Sequence, residues 1–237
     1  MSHGCCAAAR GCRVASVRDG WARVLIDPGL PAVACRYDHL ELAPGDRCVV
    51  ETRDGQFIGA VTAFSSPVLE EPKHVRARIL HLATDDDEQR ADELATLADE
   101  VDRYLRQRTD ELGLELKPMR IQLSLTGRRS VVFFSSDQRI DFRALLRDLG
   151  QRFHRRFEMR PLGVRDAART VGAIGPCGRC LCCTTFMDRF HSVTVRMAKR
   201  QNLSLNPVKI SGMCGRLMCC LAHEVEQYPA GGRRSDR

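Results

Sequence analysis

The sequence predicts an α+β fold class: a small N-terminal β barrel-like domain, an αββαβ sandwich and a cysteine-rich C-terminal module. Three observations carry that expectation. Short β-rich runs, punctuated by Gly and Pro, fill residues 13–64. A helical stripe, followed by alternating and continuous apolar runs, fills residues 85–162. Seven of the 12 cysteines in this 237-residue chain fall in two short motifs after residue 176. The implied organisation is a flexible tail (1–12), a β domain (13–72), an α+β domain (73–170), a cysteine-rich cluster-binding module (171–226) and a disordered tail (227–237).

In chain order, residues 1–12 hold Cys5, Cys6 and Cys12 among small residues without periodicity, and read as a tail. In the β domain, Val14 to Val17 and Trp21 to Ile26 flank Asp19-Gly20, while Cys48 to Thr52 and Gln56 to Phe64 flank Asp54-Gly55. Asp-Gly between β-rich runs is a hairpin signal. Pro28, Gly29, Pro31, Pro44 and Gly45 read as breaks between them, and Cys35 and Cys48 fall in the apolar, core-facing pattern. Ser65 to Lys73 reads as a linker.

The α+β domain opens with a strand over Val75 to Leu82 and a long helix from Asp85 to Leu112. Leu94, Leu97, Val101, Tyr104, Leu105 and Leu112 recur at helical spacing; Thr84 is placed to cap the start and Gly113 to stop it. Ile121, Leu123 and Leu125 alternate as a half-buried strand, and Val131 to Phe134 reads as a central one. Asp141 is placed to cap a second helix carrying Leu145, Leu149 and Phe153; Phe157 to Leu162 reads as the last strand. Further on, Ser192 to Gln201 reads as a basic helix, Asn206-Pro207 as a turn, and Leu217 to Val225 as a helical stretch.

Composition bounds the function. A net charge of +7 is only moderately basic. It is spread unevenly: residues 85–115 hold 12 acidic and 4 basic residues, net −8, whereas residues 117–200 hold 18 basic and 6 acidic, net +12. Two solvated faces, or weak RNA contact by the basic half, follow from that pattern. No apolar run approaches the ~18 residues of a membrane span, and the first residues lack a signal-peptide core. A cytoplasmic location is expected. There, abundant cysteine points to metal ligands, redox thiols or buried small residues rather than disulfides. No catalytic constellation and no phosphate-binding glycine loop is visible, so an enzyme is not expected.

The two motifs are Cys177-Gly-Arg-Cys180-Leu-Cys182-Cys183 and Cys214-Gly-Arg-Leu-Met-Cys219-Cys220. Both fit Cys-x4-Cys-Cys, one element used twice. Thiolates are soft ligands suited to zinc or iron–sulfur clusters. The glycines let the backbone turn about a centre, and Arg179 and Arg216 are placed to offset its negative charge. A zinc site is the main alternative, with Cys177 and Cys180 as one half and Cys214 and Cys219 as the other. A dithiol reading of Cys177-x2-Cys180, as in a thiol oxidoreductase, lacks the strand-to-helix context of thioredoxins. His191 and His223 stand isolated, as surface residues do.

At these residues the chain resembles the RicT (YaaT) family, whose conserved region is the polymerase-suppressor-type C-terminal domain. The resemblance rests on Gly172 to Cys183, Met197 to Pro207 and Lys209 to Leu221, with Gly45 to Thr52, Asp141-Phe-Arg and Leu162 to Asp166 upstream, and covers roughly residues 13–225. It implies a non-catalytic regulatory or adaptor subunit. Such subunits join two small helical proteins in a complex that carries 4Fe–4S clusters and assists RNase Y in mRNA processing, with links to developmental control. By motif position it implies Cys177, Cys182, Cys183 and Cys214 as cluster ligands, with Cys180, Cys219 and Cys220 as possible additional ones. Cys180 stands where the family usually has another residue. The alternative remains a zinc-stabilised RNA-binding module.

Overall fold

The computed structural model describes residues 20–64, 75, 77–127, 129–136, 138–187 and 190–229. The expected tail with Cys5, Cys6 and Cys12, the strand over Val14 to Val17 with Asp19 of its turn, the linker over Ser65 to Lys73 and residues 230–237 of the expected C-terminal tail lie outside the described residues, whereas Gln227 of that tail closes a short helical turn. The chain divides into two compact units, residues 1–26 with 32–92, and residues 27–31 with 93–237.

The first unit is a closed five-stranded barrel. Its strands are β1 (Gly20–Leu25), β2 (Val33–Tyr37), β3 (Arg47–Thr52), β4 (Gly55–Phe64) and β5 (Ala77–Leu82), in the order β1-β2-β5-β3-β4. All pairings are antiparallel except β2 with β5. Closure leaves no unpaired strand edge. The Asp54-Gly55 hairpin forms as expected: Thr52 pairs with Gly55 across the turn, and Gly55 takes φ 131°. Two expectations change. β2 forms in the stretch read as broken, because Pro31 precedes Val33 and leaves Val-Ala-Cys-Arg-Tyr uninterrupted. The strand grouped with the α+β domain belongs to the barrel, where β5 fills the place between β2 and β3.

The barrel core collects the inward positions of each strand: Ala22 and Val24, Cys35 and Tyr37, Cys48 and Val50, Val61, and Ala77 and Ile79. Burial pushes the Cys35 thiol up to about 12, helped by the neighbouring Cys48, and pushes Cys48 up to about 11, helped by Asp46. These thiols are inert packing groups at neutral pH. A stability consequence follows. Unfolded cysteine titrates near 9.0, so between that pH and about 12 the unfolded chain binds fewer protons than the folded one. The contribution is intact below pH 9.0 and lost as pH climbs toward 12, on the order of 4 kcal/mol for Cys35. Urea unfolding at pH 7.5, 9 and 10.5 is expected to show a steeper alkaline loss for the wild type than for Cys35→Ala.

Helix α1 (Asp85–Glu111) begins in the first unit, and from Glu93 onward it belongs to the second, with a three-stranded sheet and further helices. α1 starts and stops where the sequence indicates. Thr84 Oγ1 accepts from Asp87 N (3.3 Å) while Asp87 Oδ2 accepts from Thr84 N (3.0 Å), a reciprocal cap. At the other end Gly113, at φ 62°, donates to Asp110 O, and Leu114 N donates back to Thr109 O. These two bonds absorb carbonyls that the helix end leaves free. The strands are β6 (Lys117–Leu123), β7 (Arg129–Ser135) and β8 (Arg156–Pro161), in that order; β6 and β7 are antiparallel, β7 and β8 parallel. α2 (Arg143–Phe153) makes the crossover that a parallel pair requires.

One apolar layer joins these elements. Val101 and Leu105 of α1 meet Leu145 and Leu149 of α2 over Leu123, Val132 and Phe157 of the sheet, all buried. Leu112, expected in this stripe, is exposed because α1 ends just before it. Asp141 does act at the start of α2: its Oδ1 accepts from Arg143 N at 3.0 Å. After β8 comes α3 (Val164–Val171), which packs against β6 and β7. The sequence reading ran from β8 straight into the first cysteine motif.

Candidate metal centre: a thiol-lined pocket

The two cysteine motifs fold into the same small structure, 37 residues apart. In each, a glycine opens a tight turn: Gly178 N donates to Gly175 O, and Gly215 N donates to Gly212 O, both at 2.9 Å. Each turn closes with a second bond, Gly175 N to Arg179 O and Gly212 N to Arg216 O, both at 2.8 Å. Gly178 and Gly215 sit at φ 76° and 74°, the left-handed conformation of a hairpin with a glycine bulge. An isolated bridge follows in each copy, Ile174 with Cys180 and Ser211 with Leu217. A short helix then begins at the cysteine pair: α4 (Cys182–Thr185) in the first copy and α7 (Cys220–Glu224) in the second. Cys177, Cys182 and Cys183 thus correspond to Cys214, Cys219 and Cys220. Cys180 corresponds to Leu217 and has no thiol counterpart.

The segment between the copies is packed rather than trailing. α5 (Val195–Arg200) and α6 (Pro207–Ile210) bring Ala198 and Ile210 against Leu221 of α7, all buried. The expected basic helix is therefore shorter than Ser192 to Gln201. The expected turn at Asn206-Pro207 is a helix start: Asn206 Oδ1 accepts from Val208 N at 3.0 Å, and Pro207 takes the first helical position. Gln201 Nε2 donates to Leu221 O at 2.8 Å. Lys199 is exposed, whereas Arg200 is half-buried and donates to Pro229 O (3.2 Å) and Tyr228 O.

All seven sulfurs of the two motifs line one pocket. Cys177 and Cys180 are exposed, Cys182, Cys214, Cys219 and Cys220 half-buried, and Cys183 buried. Contacts cross from one copy to the other. Burial raises the Cys182 thiol, and so do its neighbours Cys219, with which it hydrogen-bonds, and Cys177. Cys183 is raised by burial and by Cys219 and Cys214, against the opposing pull of Arg169. Cys220 is pushed up to about 11 by burial, Glu224, Cys182 and Cys219. Among the described residues no three His, Cys, Asp or Glu side chains form a ready-made metal group. The thiols surround a space rather than close on a point.

The chemistry of the donors suits a thiolate-ligated group. The donors are soft sulfur, and the walls between them are apolar, from Leu181, Leu217 and Met218. A buried donor, Arg165 Nε, has no hydrogen-bond partner among the described residues. Against a dithiol catalyst, the Cys177-x2-Cys180 segment lies in a hairpin rather than at a helix start. A centre that used Cys182 and Cys183 would have to displace their protons as it formed.

The arginines of the two Cys-Gly-Arg triplets were expected beside the sulfurs. Both are exposed, and neither lines the pocket. The positive charge comes from α3, through Arg165 in the pocket wall and Arg169 within electrostatic reach of Cys183. Arg-x3-Arg places both side chains on one helical face, a signal that could have been read at 165 and 169. His191 and His223 are exposed as expected, with the His223 ring 5.2 Å from that of Phe186.

Comparisons with known proteins add to this geometry. Residues 77–162 match the family described as PSP1 C-terminal conserved region, and residues 192–234 match PSP1-like protein, third domain. Over 185 residues the chain is 42% identical to the Stage 0 sporulation protein YaaT of Bacillus subtilis (strain 168), covering 77% of this chain and 67% of that protein. No solved structure matches. Among the described residues no helix is long and apolar enough to cross a membrane.

Proposed function

Since the chain belongs to the YaaT (RicT) family of PSP1-domain proteins, we propose that it is a non-catalytic regulatory subunit that carries an iron–sulfur cluster between its two cysteine hairpins. The observation that supports this most is the convergence of two copies of one hairpin, with all their thiols, on a single pocket. Four ligands suffice for a 4Fe–4S cluster, and we assign them to Cys177, Cys182, Cys183 and Cys214, the positions that the family resemblance implies. Cys180, Cys219 and Cys220 line the same pocket as spare thiols. A bound cluster supplies one-electron chemistry and sensitivity to oxidants. The thiols would hold it in a pocket also lined by Leu181 and Met218, and the second hairpin packs with α5 and α6 through Leu217 and Met218.

In this reading the partners are small helical subunits and RNase Y or its equivalent, in the cytoplasm, and the output is mRNA processing linked to development. The relative's name, a sporulation protein, fits a regulatory role. The basic residues of the second unit add weak, salt-sensitive RNA contact.

Purification without oxygen tests the proposal. The protein, alone or with candidate partners, is expected to be brown, with iron and sulfide in comparable amounts. Stoichiometric zinc and no iron, even after anaerobic reconstitution, would replace this function with the zinc-stabilised RNA-binding one.

A further inference from the structure

We propose that Arg165 and Arg169 of α3 are the counter-charge of the thiol pocket: two guanidinium groups that balance a negatively charged, thiolate-ligated centre and set how readily it accepts an electron. The inference rests on the cluster reading above and assigns it residues outside both cysteine motifs.

The two arginines lie one helical turn apart on the same face. Arg165 is part of the pocket wall, next to Ala168. Its Nη2 donates to Leu217 O of the second hairpin at 3.3 Å, and its guanidinium carbon stands 4.7 Å from the centre of the Phe190 ring. These contacts fix the group against the sulfurs, while its buried Nε has no hydrogen-bond partner among the described residues. Buried donors are nearly always satisfied, so one left over beside seven sulfurs is suited to an acceptor that binds there. Arg169 is only 7% exposed, and its helix α3 packs against α4, which carries Cys182 and Cys183.

A cubane core held by four thiolates carries a net double negative charge, which reduction increases. Nearby cations stabilise the reduced form, so they raise the potential and slow loss of the core. Arg179 and Arg216 are exposed and outside the pocket wall, and do not serve this purpose.

The test uses the full chain, loaded anaerobically with iron and sulfide, as wild type, Arg165→Gln, Arg169→Gln and Arg169→Lys. Iron and sulfide per chain, midpoint potential and the rate of iron loss to a chelator are read for each. Both glutamine variants are expected to load iron as the wild type does, to shift to a lower potential and to lose iron several-fold faster. Arg169→Lys is expected to recover most of both properties. Unchanged potentials and release rates in iron-loaded glutamine variants would overturn the inference and leave the cluster reading standing. A lysine variant as impaired as the glutamine one would also overturn it, since the role would then be shape and not charge. Should Arg169→Gln fail to fold, Arg165→Gln decides by the same readouts. A wild type that takes up no iron removes both the cluster reading and the inference.

Discussion

Replacing Cys177 or Cys214 with serine is expected to bring the iron content of the anaerobic protein from full loading to near zero and to loosen residues 175–221 together. The two cysteines are equivalent positions of the two hairpins, and both line the pocket. The module has little else to hold it. Its own apolar cluster reaches full burial only at Ala198, Ile210 and Leu221, whereas the sandwich cluster does so at seven residues. Thiolate ligation of structural zinc is worth roughly 10–16 kcal/mol in small peptides, far more than such a core supplies, so the centre and the fold are expected to be lost together. Iron and sulfide analysis reads the first effect. Hydrogen exchange reads the second, with protection falling from Gly175 to Leu221 and unchanged in the barrel. Cys35→Ser and Cys48→Ser are the counterweights, expected to cost stability and leave iron in place. Iron retained at full level in both hairpin variants would sink the shared-site idea.

The largest effect in the barrel is expected at Gly59. A Cβ added there would lie 2.5 Å from Val24 Cγ1 and 3.0 Å from the Leu25 carbonyl oxygen. Val24 is fully buried and the carbonyl is backbone, so neither side can yield without moving β1. Gly59→Ala is expected to destabilise by about 3 kcal/mol or more, the upper range for overpacking. Gly150→Ala in α2 should act in the opposite direction. Its nearest neighbour would be the Arg155 carbonyl at 3.8 Å, which leaves room, and losing a helical glycine gains up to about 1 kcal/mol. Urea midpoints of the two variants, moving to opposite sides of the wild type, check both.

Much of this was legible in the sequence because local chemistry decides it. Thr84 with Asp87 and Gly113 marks the ends of α1, and Asp54-Gly55 marks a hairpin, through bonds made within a few residues. The repeated Cys-x4-Cys-Cys announced one structure used twice. What was missed depends on distant pairing. β5 reads as a strand anywhere, but only its partners β2 and β3 make it part of the barrel. β2 is five residues among prolines, too short for its pattern to outweigh them. Asn206-Pro207 has the letters of a turn and equally those of a helix start; packing of Ile210 on Leu221 settles it. Arg179 and Arg216 neighbour the cysteines in sequence but not in space: the turn carries them outward, and a separate helix carries Arg165 into the pocket wall.

The left-handed glycines of the hairpins separate two kinds of inheritance. Gly178 and Gly215 answer only to backbone geometry, with nothing within 4 Å of where a Cβ would go. The cysteines, on the cluster reading proposed above, answer to what the pocket would bind. Descendants of this chain can therefore lose the second trait and retain the first. A homologue with serine or alanine at the sulfur positions, but glycine still at both turns, would have to hold residues 175–221 together by a larger apolar cluster than Ala198, Ile210 and Leu221 provide here. One that kept the thiols but lost the glycines would have the opposite history, and the hairpins that gather those thiols would be the first thing missing.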